Sequence, residues 1–192
     1  MNIYAFNGSP RADGPARQAI ELLLEGMYKE ADALKGDGLS LFGFTWNLQW
    51  MHVEECLDCD MCLDNGGRCI LRDEFRTMGE DLAGCEVLVF ATPVVCFGMS
   101  AQLKKALDRM LHGAAPNSLK GKKAFLLVTG EPEADEEGYV LIERQMQNLC
   151  GRLGVELLDA RFIEESAQGD LRGDARQAEE IRGLYKLLLP QA

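Results

Sequence analysis

Apolar positions along this chain come in two kinds of run. The short runs NIYAF (2–6), EVLVFATP (86–93) and KAFLLVTG (123–130) have the length and continuity of buried strands. GLSLFGFTW (38–46) and VELLDARFI (155–163) also have strand character. Between them lie longer stretches with helical spacing. The stretch from Pro15 to Leu34 sets Ile20, Leu23, Leu24 and Met27 on one side. DEFRTMGEDLAG (73–84) reads as a short helix. SAQLKKALDRMLHG (100–113) reads as a helix with Ser100 as its N-cap and Gly113 near its end. Two more helices are expected over 139–152 and 173–188. Five strands alternating with five helical segments predict an α/β fold, with a parallel sheet covered on both faces. There is no internal repeat and no linker-like stretch, so residues 1–192 are expected to form one domain. A cysteine-rich insertion at about 54–70 shows neither period.

Composition narrows the partners. The chain is 47% hydrophobic, which suits one sizeable core. Its net charge of −11 argues against a broad nucleic-acid surface, because nothing supplies the basic face that phosphate backbones require. The first residues, MNIYAFNGSPR, lack the pattern of a secretory leader, and no apolar run approaches a membrane span. A cytoplasmic protein with no membrane partner is therefore expected. The acidic runs at 131–137 and 164–180 read as solvated surface.

Candidate chemistry sits in three segments. NGSPRADGPARQ joins the first strand to the first helix, where Ser9, Arg11 and a helix N-terminus suit an anion such as phosphate. It is neither a dinucleotide fingerprint nor a P-loop. An ordinary turn, with Pro15 as a good first helical residue, explains it equally well. ATPVVCFGMSAQLK follows the third strand. Its Pro93, Val94, Val95, Phe97 and Gly98 suit a loop lying against a planar ring, or a connector packed into the core. CLDCDMCLDNGGRC (56–69) holds four of the seven cysteines, spaced C-x2-C-x2-C-x6-C. In a reducing compartment such a set reads as an iron–sulfur cradle, a zinc site or redox-active thiols before structural disulfides. Cys85 and Cys150 flank apolar runs and read as core residues. Cys96 reads as a packing residue or a ring contact. Trp46 and Trp50 read as core, as a cluster shield or as an interface.

The three segments, in this order, resemble the NADPH-dependent FMN reductase and iron–sulfur flavoprotein branch of the flavodoxin-like superfamily. The resemblance implies a three-layer sandwich with a five-stranded parallel sheet in the order 2-1-3-4-5. It implies FMN with its phosphate around Ser9, Arg11, Gly14, Pro15 and Ala16. Its ring would lie against Pro93, Val94, Val95, Cys96, Phe97 and Gly98, with Gly130 and Glu131 closing the far side. It implies a 4Fe–4S cluster on Cys56, Cys59, Cys62 and Cys69. The electron donor would be NAD(P)H or a ferredoxin-like protein, and the assembly a homodimer or homotetramer. Asp108 and Arg109 match the family's DR pair as structural or interface residues. No side chain is required as a catalytic acid or base, because the flavin carries the redox chemistry. The chain departs from the pattern at Pro15 and Ala16, which follow Gly14 where many relatives read G-N-T, and at Val95, where an aromatic is usual. Phe97 is then the residue available to cover the ring. An electron carrier with protein partners only, or a binding module that has lost FMN, are the rival readings.

Overall fold

The computed structural model describes residues 1–33, 40–113, 118–165 and 169–189. In chain order the elements are β1 (Asn2–Asn7), α1 (Pro15–Ala33), β2 (Phe42–Asn47), α2 (Met61–Asp64), α3 (Phe75–Asp81), β3 (Val87–Val95), β4 (Gly98–Met99), α4 (Ala101–Gly113), β5 (Lys123–Gly130), α5 (Glu136–Leu153), β6 (Glu156–Glu164) and α6 (Ala175–Gly183). The expected ends of the first helix at Leu34 and of the second strand at 38–39 lie outside the described residues.

Alternating side chains divide the core into two layers, as a doubly covered sheet requires. Ile3, Ala5, Val87, Val89, Phe125 and Leu127 face α1 and α6. Phe6, Leu88, Phe90, Leu126 and Val128 face α3, α4 and α5. The parallel strands run β2-β1-β3-β5-β6. The sheet has six strands rather than the expected five, because β4 pairs antiparallel with the end of β3, off this path. Its cause is a two-residue turn: Cys96 (φ 47°) and Phe97 (φ 62°) are both left-handed and fold Gly98–Met99 back onto Val94–Val95. Such turns normally announce themselves with Asn or Gly, and neither residue is present here, so the pattern of the sequence concealed the strand.

Helix boundaries follow local chemistry. The Ser100 Oγ accepts from the Leu103 N–H (3.2 Å), the N-cap expected for α4. Helix α5 starts at Glu136, earlier than expected, because part of the acidic loop becomes its first turn, where Glu136 and Glu137 oppose the positive end of the helix dipole. Its last turn closes on Gly154 at φ 69°, whose N–H returns to the carbonyls of Cys150 and Gly151. The last expected helix divides into α6 and a 3-10 segment, Leu184–Leu188, after the poor helix former Gly183. No helix among the described residues is long and apolar enough to cross a membrane.

Helices α1 and α6 lie so close at Gly26 that a Cβ there would stand 2.1 Å from the Arg182 carbonyl oxygen. A backbone atom cannot swing aside. Overpacking of this kind costs about 1–3 kcal/mol, of which better helix propensity returns up to about 1. Gly26→Ala is expected to lower the urea midpoint of unfolding at unchanged slope. A midpoint equal to wild type would show that α6 is not held this tightly.

Candidate flavin and cysteine sites

Strands β1, β3 and β5 are parallel neighbours, so the loops that follow them leave the same edge of the sheet. The first loop is built by polar side chains that reach the backbone. Asn7 and Ser9 are buried. The Asn7 Oδ1 accepts from the Ser9 N–H (3.1 Å), and its Nδ2 donates to Asn47 Oδ1 on β2 (3.0 Å). The Ser9 Oγ accepts from the Arg11 N–H (3.0 Å). Gly8 is fixed against β3 by its N–H to Ala91 O (2.8 Å). A Cβ there would meet Leu103 Cβ at 2.7 Å, so only glycine lets the loop cross so close to α4.

The loop leads into α1 through buried Gly14, Pro15 and Ala16. Pro15 has no N–H to offer. The Ala16 N–H donates no hydrogen bond among the described residues, so it remains available to an anion at the positive end of α1. The Arg11 guanidinium is already engaged: its Nη2 donates to Glu165 Oε2 after β6 (2.9 Å). Arg17 pairs with Glu21 one turn along α1 (2.9 Å).

The second loop is the β3–β4 hairpin. Pro93, Val94 and Gly98 are half-buried, whereas Val95, Cys96 and Phe97 are exposed at its tip. Cys96 is therefore not the packing residue that one reading of the sequence suggested. The backbone is strained here at two non-glycine residues, which fold contacts must hold. Thr92 Oγ1 accepts from the Ser100 N–H (3.0 Å), and Ser100 Oγ donates to Gly8 O (2.5 Å), tying the hairpin to the first loop. Gly138 on α5 lies under Phe97, where a Cβ would stand 3.1 Å from the Phe97 Cα. The third loop follows Gly130, which is buried, and Glu131, which is exposed. The Glu131 N–H donates to Asp135 Oδ2 (2.9 Å), and Gly130 O accepts from the Glu165 N–H (2.8 Å). Through Glu165 the third loop reaches Arg11, so all three loops belong to one hydrogen-bonded rim.

Two features of this rim were not foreseen. Gln49, oriented so that both ends of its amide are satisfied, donates to Pro10 O and accepts from Ala12 N (3.2 Å) and Trp50 Nε1 (2.9 Å), closing the first loop from β2's side. Thr129, on the same face as Phe125 and Leu127, has a buried hydroxyl without a partner among the described residues. An orphaned donor at the carboxyl end of β5, the free Ala16 N–H and a rim of backbone amides suit a polar, anionic cofactor. A lone glutamine or threonine in a sequence carries no signal for such roles.

The four clustered cysteines share one small pocket with Leu57, Asp58, Asp60, Ile70 and Leu71. Burial pushes the Cys62 thiol up, and nearby Cys69, Cys56 and Cys59 push it further. The thiols thus sense one another. Among the described residues, however, no group of three or more His, Cys, Asp or Glu side chains is gathered to hold a metal ion. The donor set, four thiols against apolar walls, fits a thiolate-ligated centre; the loop is not preset to ligating distances. Asp58 (φ 49°) and Asp60 (φ 56°) take left-handed conformations that turn the chain sharply between the first three cysteines. Cys85 and Cys150 are core residues, as expected, with thiols pushed up to about 11 by burial. Trp46 packs in the core against Phe6 (4.9 Å between centroids). Trp50 is exposed and lines a surface groove with Phe44 and Met78.

The cysteine loop is pinned at both stems by one ion pair. Arg109 on α4 is 1% exposed. Its Nη1 and Nη2 grip the two carboxylate oxygens of Asp73 (2.7 and 3.0 Å), and Nη1 also donates to Glu54 O (3.0 Å). Asp73 Oδ2 accepts from the Glu54 N–H (2.8 Å), and Glu74 N donates to His52 O (3.2 Å). Residues 52–54 and 73–74 are thereby held side by side. The DR pair of the sequence is structural in this sense, although only Arg109 does the holding; Asp108 pairs with Lys104 (2.5 Å).

The fold belongs to the flavodoxin-like class. An NAD(P)H:quinone oxidoreductase from Methanothermobacter marburgensis superposes with a TM-score of 0.71 at 19% identity, covering 100% of this chain and 99% of that one. The model of the NADPH-dependent FMN reductase family matches residues 1–156, and the chain belongs to that family. An iron–sulfur flavoprotein of Methanocaldococcus jannaschii is 26% identical over 68% of this chain and 62% of its own length. One from Archaeoglobus fulgidus is 31% identical over 67% and 61%. The match thus spans about three fifths of these relatives.

Burial alone would raise the Asp73 carboxyl, but the Arg109 hydrogen bonds and the Glu54 N–H outweigh it and hold it below its ordinary 3.8. A depressed carboxylate contributes stability that is fully present above the unfolded value and is lost as pH falls through the folded one. Wild type is therefore expected to lose stability on acidification below about pH 4, and Asp73→Asn to lose less over that range. Asp73→Ala strands a buried guanidinium and is expected to cost about 3–5 kcal/mol. Urea unfolding between pH 2.5 and 7 checks both; parallel pH curves for wild type and Asp73→Asn would remove Asp73 from this account.

Proposed function

We propose that the chain is an FMN-dependent oxidoreductase that takes electrons from NAD(P)H and carries a 4Fe–4S cluster on Cys56, Cys59, Cys62 and Cys69. The observation that carries this reading is the single rim made by the loops after β1, β3 and β5, tied through Ser100 and Glu165, with four thiols on the same chain. Membership of the reductase family and the names of the iron–sulfur relatives support it.

Bound FMN would supply the redox chemistry, exchanging electrons with the nicotinamide and the cluster. The chain supplies binding and orientation. Ser9, Gly14, Pro15 and Ala16 form the cradle for the phosphate at the start of α1. The Ala16 N–H and the dipole of α1 would meet the phosphate there, while Arg11 keeps the loop closed through Glu165. Pro93, Val94, Val95, Cys96, Phe97 and Gly98 face the ring, with exposed Phe97 in place of the missing aromatic at position 95. Gly130 and Glu131 close the far side. Leu57, Ile70 and Leu71 line the same pocket as the thiols. Homodimers or homotetramers would bring the cluster loop of one chain toward the flavin of another.

Purification without oxygen, followed by the visible spectrum and assays for FMN, iron, sulfide and zinc, tests the reading. About one FMN and four iron with matching sulfide per chain are expected, together with NADPH oxidation. Cys59→Ser is expected to lose iron and keep flavin. Zinc, or no metal, would remove the cluster; no flavin at high micromolar FMN would remove the oxidoreductase; flavin reduced by ferredoxin with no nicotinamide turnover would leave an electron carrier.

A further inference from the structure

One charged group near the cysteines has no part in the reading above. Arg109 is buried, and three of its hydrogen bonds go to Asp73 and to Glu54 O. Its Nε–H has no partner among the described residues. The guanidinium lies 4.8 Å over the Phe75 ring, and Cys69 is close enough to be among the groups that help hold its proton. Cys69 is the last of the four clustered thiols, and it lines their shared pocket. A buried N–H without a partner is rare and costly. Here it belongs to a permanent cation held between the two stems of the cysteine loop.

We propose that Arg109 is a positioning residue for the cysteine site, which donates its Nε–H to the Cys69 sulfur and raises the reduction potential of the cluster held there. This rests on the cluster assignment in the preceding section. The physical argument is one of charge. Reduction adds an electron to an assembly already negative through its four thiolates. A fixed cation stabilises the reduced form more than the oxidised one, and a hydrogen bond to a ligand sulfur acts in the same direction. Low local polarity strengthens both effects. Asp73, on the far side of the guanidinium, opposes them in part. The ion pair is therefore a dipole with its positive end toward the sulfur. The same arginine that pins the loop at Glu54 and Asp73 also sets the charge that Cys69 senses, so the position of the loop and the potential of the centre are coupled.

The two partners make opposite predictions. Arg109→Gln removes the cation, and the potential is expected to fall. Asp73→Asn keeps one acceptor oxygen, which can still take the Arg109 Nη1 and Glu54 N–H bonds, gives up the bond from Nη2 and removes the opposing charge, and the potential is expected to rise. Arg109→Lys keeps a charge without the planar fork and is expected to fall between Arg109→Gln and wild type. The measurement is a potentiometric titration of the anaerobically purified protein, followed by the electron paramagnetic resonance of the reduced cluster. Shifts of the same sign in Arg109→Gln and Asp73→Asn, or no shift in either, would overturn the proposal and leave Arg109 as a clamp. The wild-type protein gives a test that needs no variant to fold. Labelling the arginine guanidinium with nitrogen-15 is expected to produce a nitrogen coupling to the reduced cluster, and its absence overturns the hydrogen bond. Wild-type protein with no iron overturns the cluster assignment and this proposal together. Iron with unchanged potentials overturns this proposal alone.

Discussion

The ion pair between Arg109 and Asp73 decides how a segment with no secondary-structure period of its own becomes part of a folded domain. Residues 55–72 include only one short helical turn, α2, and expose several apolar side chains, Leu57, Met61, Leu63 and Ile70 among them. Such a segment buries too little to order itself. What orders it is attachment at both ends, through a guanidinium that is itself held by packing under Phe75 and within α4. Burying an ion pair is expensive, and replacing such pairs with apolar residues is often neutral or stabilising. A pair that holds two chain segments in register has a use that an apolar replacement would not reproduce.

The second organising constraint is the direction of the sheet. Strands β1, β3 and β5 are parallel, so their following loops emerge on one edge. The crowding there is resolved by small or buried polar residues: Gly8 between Ala91 and Leu103, Thr92 and Ser100 between the first two loops, Gly138 beneath Phe97. The same crowding supports the left-handed turn at Cys96 and Phe97. Strain of this kind persists only where surrounding contacts over-determine it, and α5 supplies them by placing Gly138 under the hairpin. Function and stability share residues here. Gly8 and Ser100 shape the proposed cradle, and they also join α4 to the sheet.

Much of the fold was legible in the sequence because each buried strand had to be apolar on both faces and each helix had to repeat near every 3.6 residues. These are local requirements, written residue by residue. The four cysteines were legible for a similar reason, since close spacing alone brings Cys56, Cys59 and Cys62 to one loop. The hairpin was not legible, because Cys96 and Phe97 carry none of the usual turn chemistry. Nor was the earlier start of α5, where acidic residues that read as loop serve a helix dipole. Gln49, Thr129 and the pairing of Arg11 with Glu165 depend on contacts between distant segments.

By itself the sequence determined the class of fold, the donors available for a metal centre and the segments that form the rim. Those properties follow from periodicity and from the chemistry of neighbouring residues. Only the tertiary structure decided which charge faces which group. Arg11, expected beside a phosphate, is held by Glu165. Arg109, expected to be structural or at an interface, grips Asp73 and Glu54 at the stems of the cysteine loop with an N–H to spare. The reason is physical: a charged side chain takes whatever partner the fold brings within about 3–4 Å, and that distance is fixed by how helices and loops pack, which no local pattern records.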